Sequence, residues 1–261
     1  MLAYALTAFF CAATPLFQLS PEALDAYLKG QKGTFEERLA DVAHRSVGTP
    51  YAESPLGEGP KGEYDKDPLM DTTRVDCVTF CEQTIAVAAS KDYKSAHALL
   101  QSIRYRGGKV NFETRNHFMI ADWMANNTWC RDVSGELGVE TKALTRTISR
   151  RDFFKRVKAP RLGQEIPDEE KTIHYVPAAQ ASAAVAKLKT PALIVFIGKQ
   201  PEWLFELHTG LYLPDAQGQG RLYHASSKAG KVVEVESLGE YVESQSGRFL
   251  GFTAYQIGNP R

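Results

Sequence analysis

Apolar residues recur along this chain in two rhythms. Through the first half they return every three to four positions, as on one face of a helix; later they form short runs and alternations bounded by turn residues, as in strands. On this reading residues 21–29 and 35–45 are short helices, the second with Leu39, Val42 and Ala43 on its apolar face. Phe80, Cys81, Thr84, Ile85 and Ala88 repeat at helical spacing in a helix that opens at Asp76-Cys77 and ends near Ser90. Residues 93–105 form the next helix, through Ala96, Leu99, Leu100 and Ile103, and Gly107-Gly108 breaks the pattern. A helix over residues 119–125 and an alanine-rich one over 178–188 complete the helical set. Strands are expected at 192–197, 207–213, 221–225, 231–235 and 252–257. Helices followed by an antiparallel sheet predict an α+β domain.

Two stretches carry no clear rhythm. Residues 49–68 make a long loop rich in Gly, Pro and charge, and long loops in compact domains are commonly functional or mobile. Residues 131–171 are polar with scattered basic residues, and read as an elaboration packed on the core. Residues 21–261 are expected to form a single domain, preceded by a segment over 1–20 that opens with an apolar run and small residues. That run is too short to cross a bilayer and resembles an export signal, so a periplasmic or cell-envelope protein with no integral membrane segment is expected.

Composition narrows the function. The chain has 261 residues, 43% hydrophobic and 24% charged, an ordinary globular balance. Lys plus Arg and Asp plus Glu are equal at 31 each, so no charge excess directs it to nucleic acid. Its four cysteines (Cys11, Cys77, Cys81 and Cys130) are too few for a disulfide framework in a domain of this size. Cys77 and Cys81 lack the second close Cys/His pair of a structural zinc site, so a metal site is the least favoured reading.

Chemistry gathers at Cys77. Asp76 suits the N-cap position, which puts Cys77 in the first helical turn, where free N–H groups and the dipole favour a thiolate. The Asp76 charge works against that. A cysteine nucleophile needs a base, and the base needs a group to orient it. The run Leu207-His208-Thr209-Gly210-Leu211-Tyr212 places His208, Gly210 and Tyr212 on one strand face, and the next strand supplies His224. If the two strands pair antiparallel, the histidines become cross-strand neighbours.

In this order, Gly48-Thr49-Pro50-Tyr51, Asp76-Cys77, His208-Thr209-Gly210-Leu211-Tyr212 and Tyr223-His224 resemble the papain-like NlpC-type cell-wall hydrolases. Cys77 to Gln83, residues 115–118 with Asp122-Trp123, and Tyr175-Val176-Pro177 resemble the branch described as N-acetylmuramoyl-L-alanine-amidase-like. The resemblance implies a papain-like domain whose nucleophile helix packs on an antiparallel sheet with helical elaborations. It makes Cys77 the nucleophile, His208 the base and His224 its orienting residue, with Tyr51, Asp76, Arg115 and His117 beside the substrate. His117 could equally cap a core of Phe118 and Trp123. The implied reaction is cofactor-free, metal-free cleavage of a peptidoglycan or muropeptide amide through a thioester. The bond is either the lactyl–L-alanine amide or the γ-D-glutamyl–diaminopimelate bond. A thioester-based acyltransferase and a non-catalytic cell-wall-binding module are the alternatives.

Overall fold

The computed structural model describes residues 15–215 and 217–260. The apolar run expected to be an export signal therefore lies, over residues 1–14, outside the described residues. From Leu16 onward the chain is already part of the body, because Leu16, in a single 3-10 turn, is buried in the main core.

The helices are α1 (Pro21–Gly30), α2 (Phe35–Arg45), α3 (Cys77–Ala88), α4 (Tyr93–Arg104), α5 (Met124–Asn126, continuing a π-helical turn over Met119–Trp123), α6 (Arg150–Arg156), α7 (Ala181–Val185) and α8 (Leu238–Ser244). The strands are β1 (Cys130–Asp132), β2 (Lys142–Ile148), β3 (Glu169–Pro177), β4 (Ala192–Gly198), β5 (Glu206–Pro214), β6 (Gly220–Ser226), β7 (Lys231–Val235) and β8 (Phe249–Ile257). They form one sheet in the order β2-β3-β8-β4-β5-β6-β7, with β1 also on β8 and every pair antiparallel.

Strand alternation divides the core. Leu193, Val195, Ile197, Leu211 and Ala225 face the layer of α1 to α4, while Ala192, Ile194, Phe196, Tyr212 and Leu222 face α7 and α8. The result is a mixed α/β protein with an antiparallel sheet covered on both sides. Helix α3 is the buried member of its layer: every residue from Thr79 to Ala88 is buried, Glu82 and Gln83 included, so its polar groups must find partners inside the protein. None of the described helices is long and apolar enough to cross a membrane.

The expected elements are present with small changes of bounds, save that the alanine-rich helix is only five residues long after a 3-10 turn. The polar stretch 131–171 is more than a surface addition. It contributes the antiparallel pair β2 and β3, linked through α6, and β3 joins the sheet through Val176 and Pro177 opposite Phe252 and Gly251. Helix α8 also has no strong periodic signal, since its seven residues bury only Leu238, Gly239 and Val242.

Candidate active site

Cys77 is fixed from two sides. Val232 N–H donates to the Thr49 carbonyl and Tyr51 N–H to that of Gly230, which attaches the segment around Pro50 to the sheet edge at β7. Val75 N–H in turn donates to the Pro50 carbonyl and Ala52 N–H to that of Val75, so the chain entering α3 is held by that edge. Asp76 then caps the helix: its Oδ1 accepts the Thr79 N–H at 2.7 Å, and Thr79 Oγ1 accepts the Asp76 N–H at 2.8 Å. The other Asp76 oxygen accepts the Ser54 N–H at 3.2 Å. From the sheet side, the Thr209 hydroxyl donates to the Cys77 carbonyl at 2.9 Å.

Strand β5 delivers the histidines through an irregularity. Its pairing with β4 sets His208 opposite Phe196 but Glu206 opposite Ile197, so Leu207 is an extra residue. This bulge turns Glu206 toward the α3 side, where it accepts the Met119 N–H at 2.7 Å. His208 shares its face with Phe196, on whose ring it stacks with centroids 5.4 Å apart. The β5–β6 ladder ends at Leu211 and Tyr223, and continuing its register sets Gly210 opposite His224. Two positions along the diagonal, His208 Nε2 and His224 Nδ1 are 2.7 Å apart. Gly210 makes room for this pair, since a Cβ there would lie 3.1 Å from that of His224 and 2.9 Å from the Tyr223 carbonyl.

Cys77 and His208 line one cavity of about 270 Å³ together with Asp76, Glu206 and Thr209. His224 stands behind His208, buried against Tyr241 of α8. Tyr51 lies near enough to Cys77 and Asp76 for their charges, after burial, to raise its phenol. Arg115 and His117 both reach the cavity wall, in different roles. The Arg115 guanidinium is committed to Glu58 at 2.9 Å and Asp65 at 2.8 Å. His117 Nε2 lies 2.6 Å from the Phe112 carbonyl, with the rings of Phe112, Phe153 and Phe154 around it. His117 thus lines the cavity, and the rings around it are Phe112, Phe153 and Phe154 where a core of Phe118 and Trp123 was expected.

The electrostatics of the site favour neutral groups. Burial, then the Asp76 charge, pushes the Cys77 thiol up to about 11, outweighing hydrogen bonds from Thr209 and the Val78 N–H. Burial holds His208 down at about 3, helped by His224 and Arg248, and holds His224 at about 4. These shifts favour a thiol at Cys77 and neutral imidazoles at His208 and His224, and the helix-start N–H groups do not offset burial and the Asp76 charge. Sequence reading set Gly210 beside His208 but gave no role to it or to Thr209, and missed Glu206. A threonine among leucines on the inward face of β5 was a usable signal for Thr209, whereas nothing in the sequence marks the bulge that redirects Glu206.

Comparison with known proteins follows the same outline. A protein from Legionella pneumophila str. Philadelphia 1 superposes with a TM-score of 0.80 at 21% identity, over 91% of this chain and 95% of that one. An N-acetylmuramoyl-L-alanine amidase from Bacteroides uniformis superposes with a TM-score of 0.67 at 22% identity, over 87% of this chain and 100% of that one. A Bacteroides fragilis protein provisionally named a xylanase gives 0.63 at 25% identity, over 82% and 99%. No curated protein gives a significant match. The family model for N-acetylmuramoyl-L-alanine amidase-like (AmiA-like) proteins matches residues 41–249, a span that includes Cys77, His208 and His224. The chain belongs to the N-acetylmuramoyl-L-alanine amidase-like family.

Proposed function

We propose that this protein is a papain-like, NlpC-type cysteine amidase of the bacterial cell envelope that cleaves the amide between the lactyl group of N-acetylmuramic acid and L-alanine. The observation that carries the reading is Cys77 in the first turn of α3, sharing a cavity with a histidine that is hydrogen-bonded to a second one. If His208 donates from Nε2 to His224 Nδ1, its Nδ1 keeps the lone pair that accepts a proton. His224 is then a positioning residue. Because both groups rest neutral, the thiol proton passes to His208 as sulfur attacks the carbonyl carbon. The Cys77 N–H, free of any intrahelical partner at the helix start, is placed to stabilise the oxyanion. The imidazolium then protonates the departing amine of L-alanine, leaving the lactyl group as a thioester on Cys77. His208 next takes a proton from water, whose oxygen attacks the thioester and releases the acid and the thiol.

Mass spectrometry of purified peptidoglycan fragments incubated with the protein tests this directly. Free stem peptides and unsubstituted muramic acid are expected from the wild type, and intact fragments from Cys77→Ala. Release of only the diaminopimelate-bearing end would make the enzyme an endopeptidase, and turnover by Cys77→Ala would remove the thiol from the mechanism.

A further inference from the structure

Charge is unevenly spread over this formally neutral chain. Between Arg150 and Arg161, along α6 and the turn after it, six residues are basic (Arg150, Arg151, Lys155, Arg156, Lys158 and Arg161) and only Asp152 is acidic. Part of the charge is compensated: Arg150 donates to Asp122 and Glu169, Arg151 lies 3.5 Å from Asp168, and Arg161 donates to Glu63 at 2.7 Å. Lys155 pairs with Asp152 at 3.2 Å. That carboxyl is held low by Lys155 first and then by Arg151 and Arg156, so one acid is shared among three cations. Arg156 and Lys158 are exposed and have no ion pair among the described residues.

The loop over residues 106–114 extends the same surface. Its Phe112 packs on Phe154 of α6 with ring centroids 6.1 Å apart, and its Glu113 accepts the Gly163 N–H at 3.4 Å, which ties the loop to the segment after α6. Arg106 and Lys109 in this loop are exposed and, among the described residues, also have no ion pair. Apolar exposure falls in the same two places. Val110, at 39%, and Val157, at 40%, are the exposed large apolar residues of the described chain. Val110 follows Lys109, and Val157 stands between Arg156 and Lys158.

Unpaired cations interleaved with exposed apolar side chains match an anionic bilayer surface, where headgroup phosphates take the bases and the edge of the acyl region takes the valines. A soluble anionic polymer would use the cations alone. We infer that the loop 106–110 and the C-terminal end of α6 dock this protein reversibly on anionic phospholipid, through Arg106, Lys109, Arg156 and Lys158 with Val110 and Val157 entering the headgroup region. Helix α6 has seven residues, too few to lie in the interface as an amphipathic helix, so the contact is a patch on a folded body. Each cation near such a surface strengthens binding about fivefold, so four of them give roughly several hundredfold over a neutral surface. Docking of this kind is independent of the reaction at Cys77.

Sedimentation of the full chain with vesicles tests this, comparing phosphatidylglycerol and phosphatidylcholine in equal parts with phosphatidylcholine alone. Wild type should bind the anionic vesicles and release them in about 0.5 M salt, where the Debye length falls to a few ångströms. Lys109→Gln combined with Lys158→Asn, an asparagine being suited to the positive φ of 61° at 158, should weaken binding about twentyfold. Lys94→Gln with Lys228→Gln, at exposed lysines of α4 and the β6–β7 turn, changes net charge equally and should bind as wild type. Val110→Ser with Val157→Ser should weaken binding severalfold at unchanged charge. Equal binding to neutral and anionic vesicles would assign adhesion to the apolar run over residues 1–14 and overturn the patch. Equal losses in the two lysine pairs would overturn it as well. Full binding by the valine variant would give the surface to a soluble anionic polymer and remove lipid as the partner.

Discussion

The acidity of Cys77 is set by neighbours acting in opposite directions. The Asp76 carboxylate raises it and the Thr209 and Val78 hydrogen bonds lower it, on top of a burial effect larger than any of them. Replacing Asp76 by Asn keeps an oxygen that can accept the Thr79 N–H and removes the charge, at the loss of the bond from the exposed Ser54 N–H. Asp76→Asn should therefore bring the thiol below about 11 and speed its alkylation by iodoacetamide at pH 8 severalfold, while changing the melting temperature little. In the wild type the alkylation rate should keep climbing from neutral pH toward 10. A plateau below pH 8 would show a preformed thiolate–imidazolium pair instead. Gly210 offers a second test, because a methyl there would lie 2.7 Å from Leu222 Cδ1 as well as against His224. Gly210→Ala should cost about 1–3 kcal/mol by overpacking and reduce turnover by displacing the histidine pair. Gly247→Ala, where a Cβ meets nothing within 4 Å, is the control expected to melt as wild type. Equal melting temperatures and activities for both would refute the claim that Gly210 makes the room.

Helix α3 carries Cys77, and a buried ionic contact lies one turn beyond it. Glu82 receives Arg104 of α4 and, at 3.0 Å, the indole N–H of Trp123, while Arg104 also donates to the Leu56 carbonyl at 3.2 Å. Together these groups join α3, α4, the aromatic turn and the long loop. Glu82→Ala strands the Arg104 charge in the interior and should cost about 3–5 kcal/mol, with Glu82→Gln costing less because Trp123 keeps an acceptor. Urea unfolding midpoints measure the difference, and a loss for Glu82→Ala no larger than an exposed substitution would show that Arg104 finds water instead. This contact was invisible in the sequence, where Glu82 reads as an ordinary polar residue beside an apolar stripe. What was legible followed rhythm and caps. Asp76 and the spacing of Phe80, Ile85 and Ala88 indicated α3, and the alternation around His208 indicated β5 and its face. Strand β2 escaped because only Arg146 and Ile148 of its residues are buried, and one of these is charged. Arg146 donates to the carbonyls of Gly198, Pro201 and Leu204, a role that period counting cannot detect. The bulge at Leu207 is likewise a property of pairing, fixed by two strands together.

At the scale of the whole molecule, the candidate site and the aromatic wall make folding sensitive to acid. His117 and His208 are held near 3 and His224 near 4, chiefly by burial, against an ordinary value of 6.5. A histidine whose folded pKa lies below its unfolded one binds fewer protons in the native state, so its contribution is intact above 6.5 and is lost as pH falls toward the folded value. Glu206 acts the other way. Burial raises it from 4.5 to about 7, so the native state keeps that proton longer and gains stability as pH falls through 7 toward 4.5. Between pH 6.5 and 5 the unfolded chain takes up protons on three histidines, and Glu206 opposes with one, so the histidines prevail. The melting temperature should fall by on the order of 10 °C from pH 7 to pH 5. His117 separates this account from general charge effects, because it can be altered without touching the thiol or the histidine pair. With its Nε2 bonded to the Phe112 carbonyl and three phenyl rings around it, His117→Phe removes one titrating group from a site suited to a ring. The variant loses a hydrogen bond and should be less stable at pH 7, yet its stability should depend less steeply on pH between 6.5 and 5. In proton-linkage terms the uptake on unfolding drops by nearly one. A slope equal to that of the wild type would mean that His117 is already protonated in the native state, and the wall of the Cys77 cavity would have to be redrawn with a charge in it.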